Sequence, residues 1–398
     1  MLKFLNIIKN EFNTKNIAAI IFGFCIFFLS KPYFVWHTNS INKLFLFIVI
    51  LIALINIRRP NKADLIVIPF FFFYILIEMF SASVLPNILG YVSKFSLIYI
   101  LLMRIDRSLT FLKYVKYIYV VTFSLSLIVY FLIVFGGISI PFDIIAPLNA
   151  GKLVNYHQYP FLVSVGPLGF GSNNIRFCGV FDEPGVVGSI AVILLIIDKF
   201  NLKSKSNKII FLAGILSFSF YFYLSFLAYV LYKTTVKKRL FFLLFVGLLF
   251  ITTHNNQLFS VLLWNRMEIK DGKIQGDNRS NKVLDYQFSN FFQSNDLLFG
   301  KGINKVLDYG VGTSTYKSVI MGYGLVFTIS LCIAFMSYSY FYIRSFKYIL
   351  IYWFLFFSMI YQRYGFIFDP PRFFLFISAI YVLRNRAQQE WINRSKFD

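Results

Sequence analysis

Long apolar runs recur from one end of this chain to the other, separated by polar segments that carry Lys and Arg. The runs fall at 17–36, 42–57, 64–80, 88–103, 115–136, 184–199, 207–219, 220–232, 240–254, 318–343, 347–363 and 371–384. A bilayer-crossing helix needs about 20 apolar residues, and most of the runs are of that order. The pattern predicts an all-α, polytopic integral membrane protein with about twelve membrane helices. The first run has no small-residue cleavage site after it, so it reads as a retained span rather than a signal peptide. The stretch 207–232 has Lys on both flanks and is too short for two full crossings of about 20 residues each. It predicts two short helices meeting at Ser217–Phe220, or a re-entrant hairpin, with both ends on one side of the membrane.

Composition agrees with that class. The 398 residues are 58% hydrophobic and 14% charged, with mean hydropathy +0.69. The formal charge of +22 would suit a nucleic-acid partner. Its distribution argues against one. With the N-terminus placed inside, the short cytoplasmic connections hold 24 of the 39 Lys and Arg residues. That is the positive-inside signature of a membrane protein with both termini cytoplasmic. The chain 1–398 then reads as one polytopic domain with two long outer loops, 137–183 and 254–317. Connections longer than about 15 residues are usually functional or disordered. The second loop carries eight basic residues on the outer side, where an anionic ligand is the simplest reason for them.

Familiar chemistries leave no trace. Cys25 and Cys332 lie inside apolar runs and only Cys178 in a loop, so no disulfide framework follows. His37, His157 and His254 lack metal-ligand spacing. There is no phosphate-binding loop, dinucleotide fingerprint or nucleophile elbow, so neither a metal nor a cofactor is expected. The absence of an internal repeat weakens a transporter built from inverted halves.

Chemistry gathers instead in the outer segments. "RFCGVFDEPG" (Arg176–Gly185) brings Arg176, Asp182 and Glu183 in front of an apolar run. Pro184 suits the first turn of a helix, and an acid just before it suits the positive helix end. An acidic cap paired with Arg176 would account for the segment structurally. A guanidinium beside a carboxylate at the membrane surface would also hold a phosphate, since the Arg fork binds two oxygens at once. Arg266 and Arg279 in the second loop could join Arg176 around a diphosphate. The same loop contains "LDYQFSNFFQ", where Leu284, Phe288, Phe291 and Phe292 share a helix face. That face predicts a loop folded back on the protein or membrane. "DLLFGKGI" predicts a tight Gly turn with backbone N–H groups open to an anion. The last outer connection, "YQRYGFIFDPPRFF", places Arg363, Asp369 and Arg372 at helix ends. There Arg363 and Arg372 snorkel to the interface, or the three form part of a site.

The pattern Arg176-x-x-Gly179-x-Phe181-x-Glu183-Pro184, opening a span, resembles the O-antigen polymerase (Wzy-type) family of bacterial envelopes. The 207–232 hairpin resembles the region where that family and the related O-antigen ligases carry Thr-x-Ser-Arg; here Phe220 stands in place of the Arg. "LLFGKGI" followed by "GYGLVF" is similar to the end of their large periplasmic loop and the next helix. The ligases place a His before that helix, whereas this chain has Thr313, Ser314, Thr315 and Tyr316. The resemblance thus favours a polymerase, which would join polyprenyl-diphosphate-linked oligosaccharide repeat units at the periplasmic face of the bacterial inner membrane. It implies Arg176, Glu183 and Asp182 as catalytic residues and Arg279, Arg266, Arg363 and Arg372 as diphosphate ligands. Tyr316 and Asp369 would contact the substrate. Its partners would be the donor and acceptor glycolipids, membrane lipids and a chain-length regulator protein. An O-antigen ligase acting on lipid A–core, or an oligosaccharide-lipid flippase, stands as the alternative.

Overall fold

The structure is a computed structural model. It describes residues 14–81, 88–148, 154–168, 175–233, 235–253, 255–256, 260, 268–270, 273–274, 282–309, 315–363, 365 and 368–394. Helix dominates them. In chain order the helices are α1 (Thr14–Leu29), α2 (Asn39–Ile55), α3 (Asp64–Ser81), α4 (Ile88–Leu101), α5 (Ile105–Val134), α6 (Pro184–Ile197) and α7 (Lys205–Leu216). Then come α8 (Phe220–Lys233), α9 (Val236–Thr253), α10 (Lys282–Phe291), α11 (Ile303–Leu307), α12 (Tyr316–Ile343), α13 (Phe346–Arg363) and α14 (Pro370–Arg394).

Each apolar run lies on a helix, and the ends differ for local reasons. α1 stops at Leu29 because Lys31 takes a left-handed φ of 58° and Pro32 follows; Pro cannot continue a helix. α14 continues to Arg394, past the apolar stretch, through "RNRAQQEWINR". Helix formers need no apolarity to extend a turn already nucleated. Among the described residues, α5 and α12 are long and apolar enough to cross a membrane by length and composition. Several helices leave apolar stripes uncovered. Leu240, Leu244, Leu248 and Ile251 on α9 are all exposed, as are Val121, Leu125, Ile128 and Leu132 on α5. Spacings of three and four put each set on one face.

The all-α expectation is corrected in the two long loops. β1 (Asp143–Ile145), β2 (Tyr156–Tyr159) and β3 (Leu162–Val165) form an antiparallel sheet in that order. Tyr156 pairs with Val165 and Tyr159 with Leu162. Pro160 and Phe161, the latter at φ 57°, make the turn between them. Pro followed by a positive φ is the type II requirement. A second, two-stranded sheet pairs β4 (Ile269–Lys270) with β5 (Lys273–Ile274).

The chain divides into two compact units, 1–118 with 279–398, and 119–278. In the first, α12 packs on α3, α11, α13 and α14, while α4 packs on α2 and α14. In the second, α6 packs on both α7 and α8 and is buried along almost its whole length. α7 and α8 form a hairpin. Phe211 and Phe226 lie 5.2 Å apart, and Phe200, ahead of α7, lies 4.6 Å from Tyr229 near the end of α8. On one straight helix, rings fifteen positions apart would sit about 22 Å apart. The break falls at Ser217–Ser219, where Phe218 adopts φ 45°.

Candidate functional site

Within the second unit, the segment Ile175–Glu183 is fixed from several sides. Its apolar members Phe177, Val180 and Phe181 are fully buried, and the edges of Phe177 and Phe181 meet Phe123 of α5. Tyr130 donates to the Ile175 carbonyl at 2.6 Å. Val163 of β3 donates to the Gly179 carbonyl at 2.8 Å, and Tyr156 of β2 donates to that of Asp182 at 2.7 Å. Gly179 sits at φ 57°, a conformation glycine adopts without steric cost.

Arg176 binds the α7–α8 break. Its Nε donates to the Ser217 carbonyl at 3.3 Å and its Nη2 to that of Phe218 at 3.2 Å. The Phe177 N–H donates to the Leu216 carbonyl at 2.8 Å. The Leu216 and Ser217 carbonyls are among those a helix end leaves without partners, and a cation is favoured beside them. α6 runs past the same place. A Cβ on Gly188 would come within 2.4 Å of the Ser219 Cβ, so only glycine allows that approach. Glu183 is the N-cap residue of α6, in extended conformation, with Pro184 behind it in the first turn. Asp182 and Glu183 are both half-buried. The helix start read from "DEPG" is where the structure has it.

In the first unit, α10 turns Leu284 and Phe291 into a cluster with Val306 and Met321, and Phe288 packs against it. Phe292 lies one residue past the helix and is exposed, unlike the other three members of the expected face. Lys317 pairs with Asp285 at 2.5 Å and lies 5.7 Å over the Phe288 ring. Tyr316, the first residue of α12, stacks on Tyr361 of α13 at 5.5 Å. The "FGKGI" turn is tight, but its N–H groups are not open to an anion. Gly300 donates to Asp296 at 2.7 Å, Lys301 to Met321 at 2.7 Å and Gly302 to Gly322 at 3.0 Å. The loop is docked backbone-to-backbone on a kink in α12, where Gly324 has φ 83°.

Asp369 and Arg372 are brought together as a 2.7 Å ion pair at the start of α14, both largely buried. The Asp369 carbonyl accepts from the Phe373 N–H, so "DPP" repeats the acid-then-Pro helix start of "DEPG". Arg363 closes α13, with its side chain outside the described residues. Arg266 and Arg279 also lie outside them.

One cluster escaped sequence reasoning. Arg58 forms a two-pronged bond to Asp64, at 2.5 and 2.9 Å, and its Nη2 also donates to the hydroxyl of Tyr342. Asp64 is fully buried. Burial alone would lower the Arg58 pKa, but the Asp64 bond, with the Tyr381 and Tyr342 oxygens, holds it above its ordinary value. Asn61 and Asp64 cap α3 reciprocally: Asn61 Oδ1 accepts from Asp64 N–H at 3.1 Å, and Asp64 Oδ2 from Asn61 N–H at 2.7 Å. "NKAD" in front of an apolar run was the available signal, a variant of the capping box. Among the described residues no group of three His, Cys, Asp or Glu is placed to hold a metal.

No protein-family model matches this chain, and no curated protein or solved structure matches it.

Proposed function

We propose that the chain is a multi-pass glycosyltransferase of the bacterial inner membrane, with both termini cytoplasmic. It polymerises polyprenyl-diphosphate-linked oligosaccharide repeat units at the periplasmic face. The exposed apolar stripes on α5 and α9 support immersion in a bilayer, since soluble monomers rarely expose apolar patches beyond a few hundred Å². The distribution of Lys and Arg supports the orientation.

The observation that carries the catalytic part is the fixed geometry of Arg176–Pro184. Two carbonyls at the α7–α8 break hold the Arg176 guanidinium in place, and Glu183 is the N-cap residue at the head of α6. In the proposed reaction an acceptor hydroxyl attacks the anomeric carbon of the donor's reducing-end sugar. Glu183, or Asp182 beside it, takes the hydroxyl proton. The bond from that carbon to the diphosphate oxygen breaks, and polyprenyl diphosphate leaves with the electron pair. Negative charge on the departing diphosphate grows toward the transition state, so a pre-positioned cation stabilises it more than the ground state. Arg176 supplies that charge, and Arg266 in the same unit is a further candidate ligand.

The test is purified full chain in lipid nanodiscs with a synthetic lipid-linked repeat unit, with lipid A–core offered in parallel. Release of one polyprenyl diphosphate per new glycosidic bond, with repeat units as acceptors, is the expected result. Transfer only to lipid A–core would make the protein a ligase. Translocation of the glycolipid in liposomes without any new bond would make it a flippase.

A further inference from the structure

A cavity of about 1060 Å³ opens in the first unit, between the α2–α3 connection, the α12–α13 turn and the last turns of α14. Lys62, Arg344, Lys347 and Arg384 line it, against a single carboxylate, Glu390. Glu390 is engaged by Lys347 at 3.2 Å and by the Tyr348 hydroxyl. Lys62, Arg344 and Arg384 have no carboxylate partner among the described residues. The wall beneath them is tied by polar contacts. Two guanidiniums approach the Tyr342 ring, Arg384 at 5.5 Å and Arg58 at 5.7 Å, and its hydroxyl belongs to the buried Arg58–Asp64–Asn61 network. Arg344 stands at the turn in a left-handed conformation, φ 55°, which reverses the chain from α12 into α13. Phe346 and Trp391, both strongly exposed, line the same cavity.

Three cations without carboxylates, converging on a preformed hollow, call for an anion. The exposed aromatics beside them suit an amphiphile, because ring side chains settle where headgroups meet acyl chains. Basic pockets between membrane helices on the cytoplasmic side bind anionic lipid headgroups. We propose that this cavity binds the phosphate of an anionic phospholipid from the cytoplasmic leaflet, with Lys62, Arg344 and Arg384 as its ligands and Phe346 and Trp391 against its chains. The inference rests on the membrane placement proposed above, and is independent of the polymerase reaction.

The experiment is native mass spectrometry of the detergent-purified full chain, titrated with phosphatidylglycerol, phosphatidylcholine or inorganic phosphate. Phosphatidylglycerol is expected to bind in preference to phosphatidylcholine. Its affinity should fall about fivefold for each cation removed, hence roughly a hundredfold in Lys62→Gln/Arg344→Gln/Arg384→Gln. Arg384 also packs over Tyr342, so the Lys62→Gln/Arg344→Gln pair, which spares that contact, should lose about 25-fold with an unchanged melting temperature. Arg344→Lys keeps the charge and should retain binding. Equal affinity for both lipids, or variants that bind like the wild type, would overturn the proposal. Inorganic phosphate displacing the lipid at millimolar concentration would overturn the lipid assignment and leave a soluble phosphate site. Recovery of the chain in the soluble fraction would instead remove the membrane premise. A chain that binds the lipid but makes no polymer would leave this site standing and the polymerase reaction fallen.

Discussion

The guanidinium of Arg176 has an observed contact and a proposed role that a single assay would confuse. It ties the α7–α8 break to the segment before α6, and it is the cation proposed for the departing diphosphate. Hydrogen bonds to a charged group contribute about 1.5–3 kcal/mol, so Arg176→Ala should lower the melting temperature as well as abolish polymer. Arg176→Lys separates the roles. An ammonium can still face the Ser217 or Phe218 carbonyl but cannot span both or grip two phosphate oxygens. The Lys variant is expected to melt within a few degrees of the wild type while losing most of its turnover. Full turnover in a well-folded Lys variant would remove the fork from the mechanism. A second test at this scale concerns Gly324. A Cβ there would meet the Leu298 carbonyl oxygen at 2.2 Å, on backbone that L residues seldom adopt. Gly324→Ala is expected to destabilise the chain by on the order of 3 kcal/mol, read as a lowered midpoint in thermal unfolding. Unchanged unfolding would mean the loop does not dock there. The glycines of "FGKGI" and "GYG" were visible in the sequence. Their partnership was not, because close backbone approach joins residues twenty or more positions apart and leaves no local pattern.

Elements differ in how openly the sequence declares them. The helices follow from apolar runs, and the hairpin of α7 and α8 follows from Lys on both flanks. "DEPG" declares the start of α6 through Pro and an acid. The three-stranded sheet was missed, since its strands are three or four residues long and too brief to establish a period. Its middle strand carries a pH test. His157 stacks on Phe142 with ring centres 4.2 Å apart, and burial lowers its pKa from the ordinary 6.5. The folded sheet therefore favours neutral imidazole. That stability is fully present above the ordinary pKa and is lost as pH falls through the lowered one. Amide hydrogen exchange across Tyr156–Val165, corrected for intrinsic rates, should accelerate on acidification in the wild type and not in His157→Phe. The same acid response in both would place its origin elsewhere.

At the scale of the whole molecule, the proposed protein is a membrane-immersed helical chain whose polymer chemistry faces outward. The helical content was legible because it is written in a bulk property, the recurring apolar runs. The arrangement around Arg176 was legible only as a list of residue types. Which carbonyls Arg176 would meet depends on a break that tertiary packing fixes, with Gly188 of α6 pressed on Ser219. The Arg58–Asp64 pair was hidden for a related reason. Its Arg sits among the basic residues of a short connection between helices, and the Tyr342 and Tyr381 that complete it come from α12 and α14. The most direct measurement of the central claim is a gel of glycan products from the purified full chain in nanodiscs, supplied with lipid-linked repeat unit and excess EDTA. The account predicts a ladder of repeat-spaced bands that survives the chelator and disappears in Arg176→Ala. A wild-type lane with only the input repeat unit, or an undiminished ladder from Arg176→Ala, would contradict it.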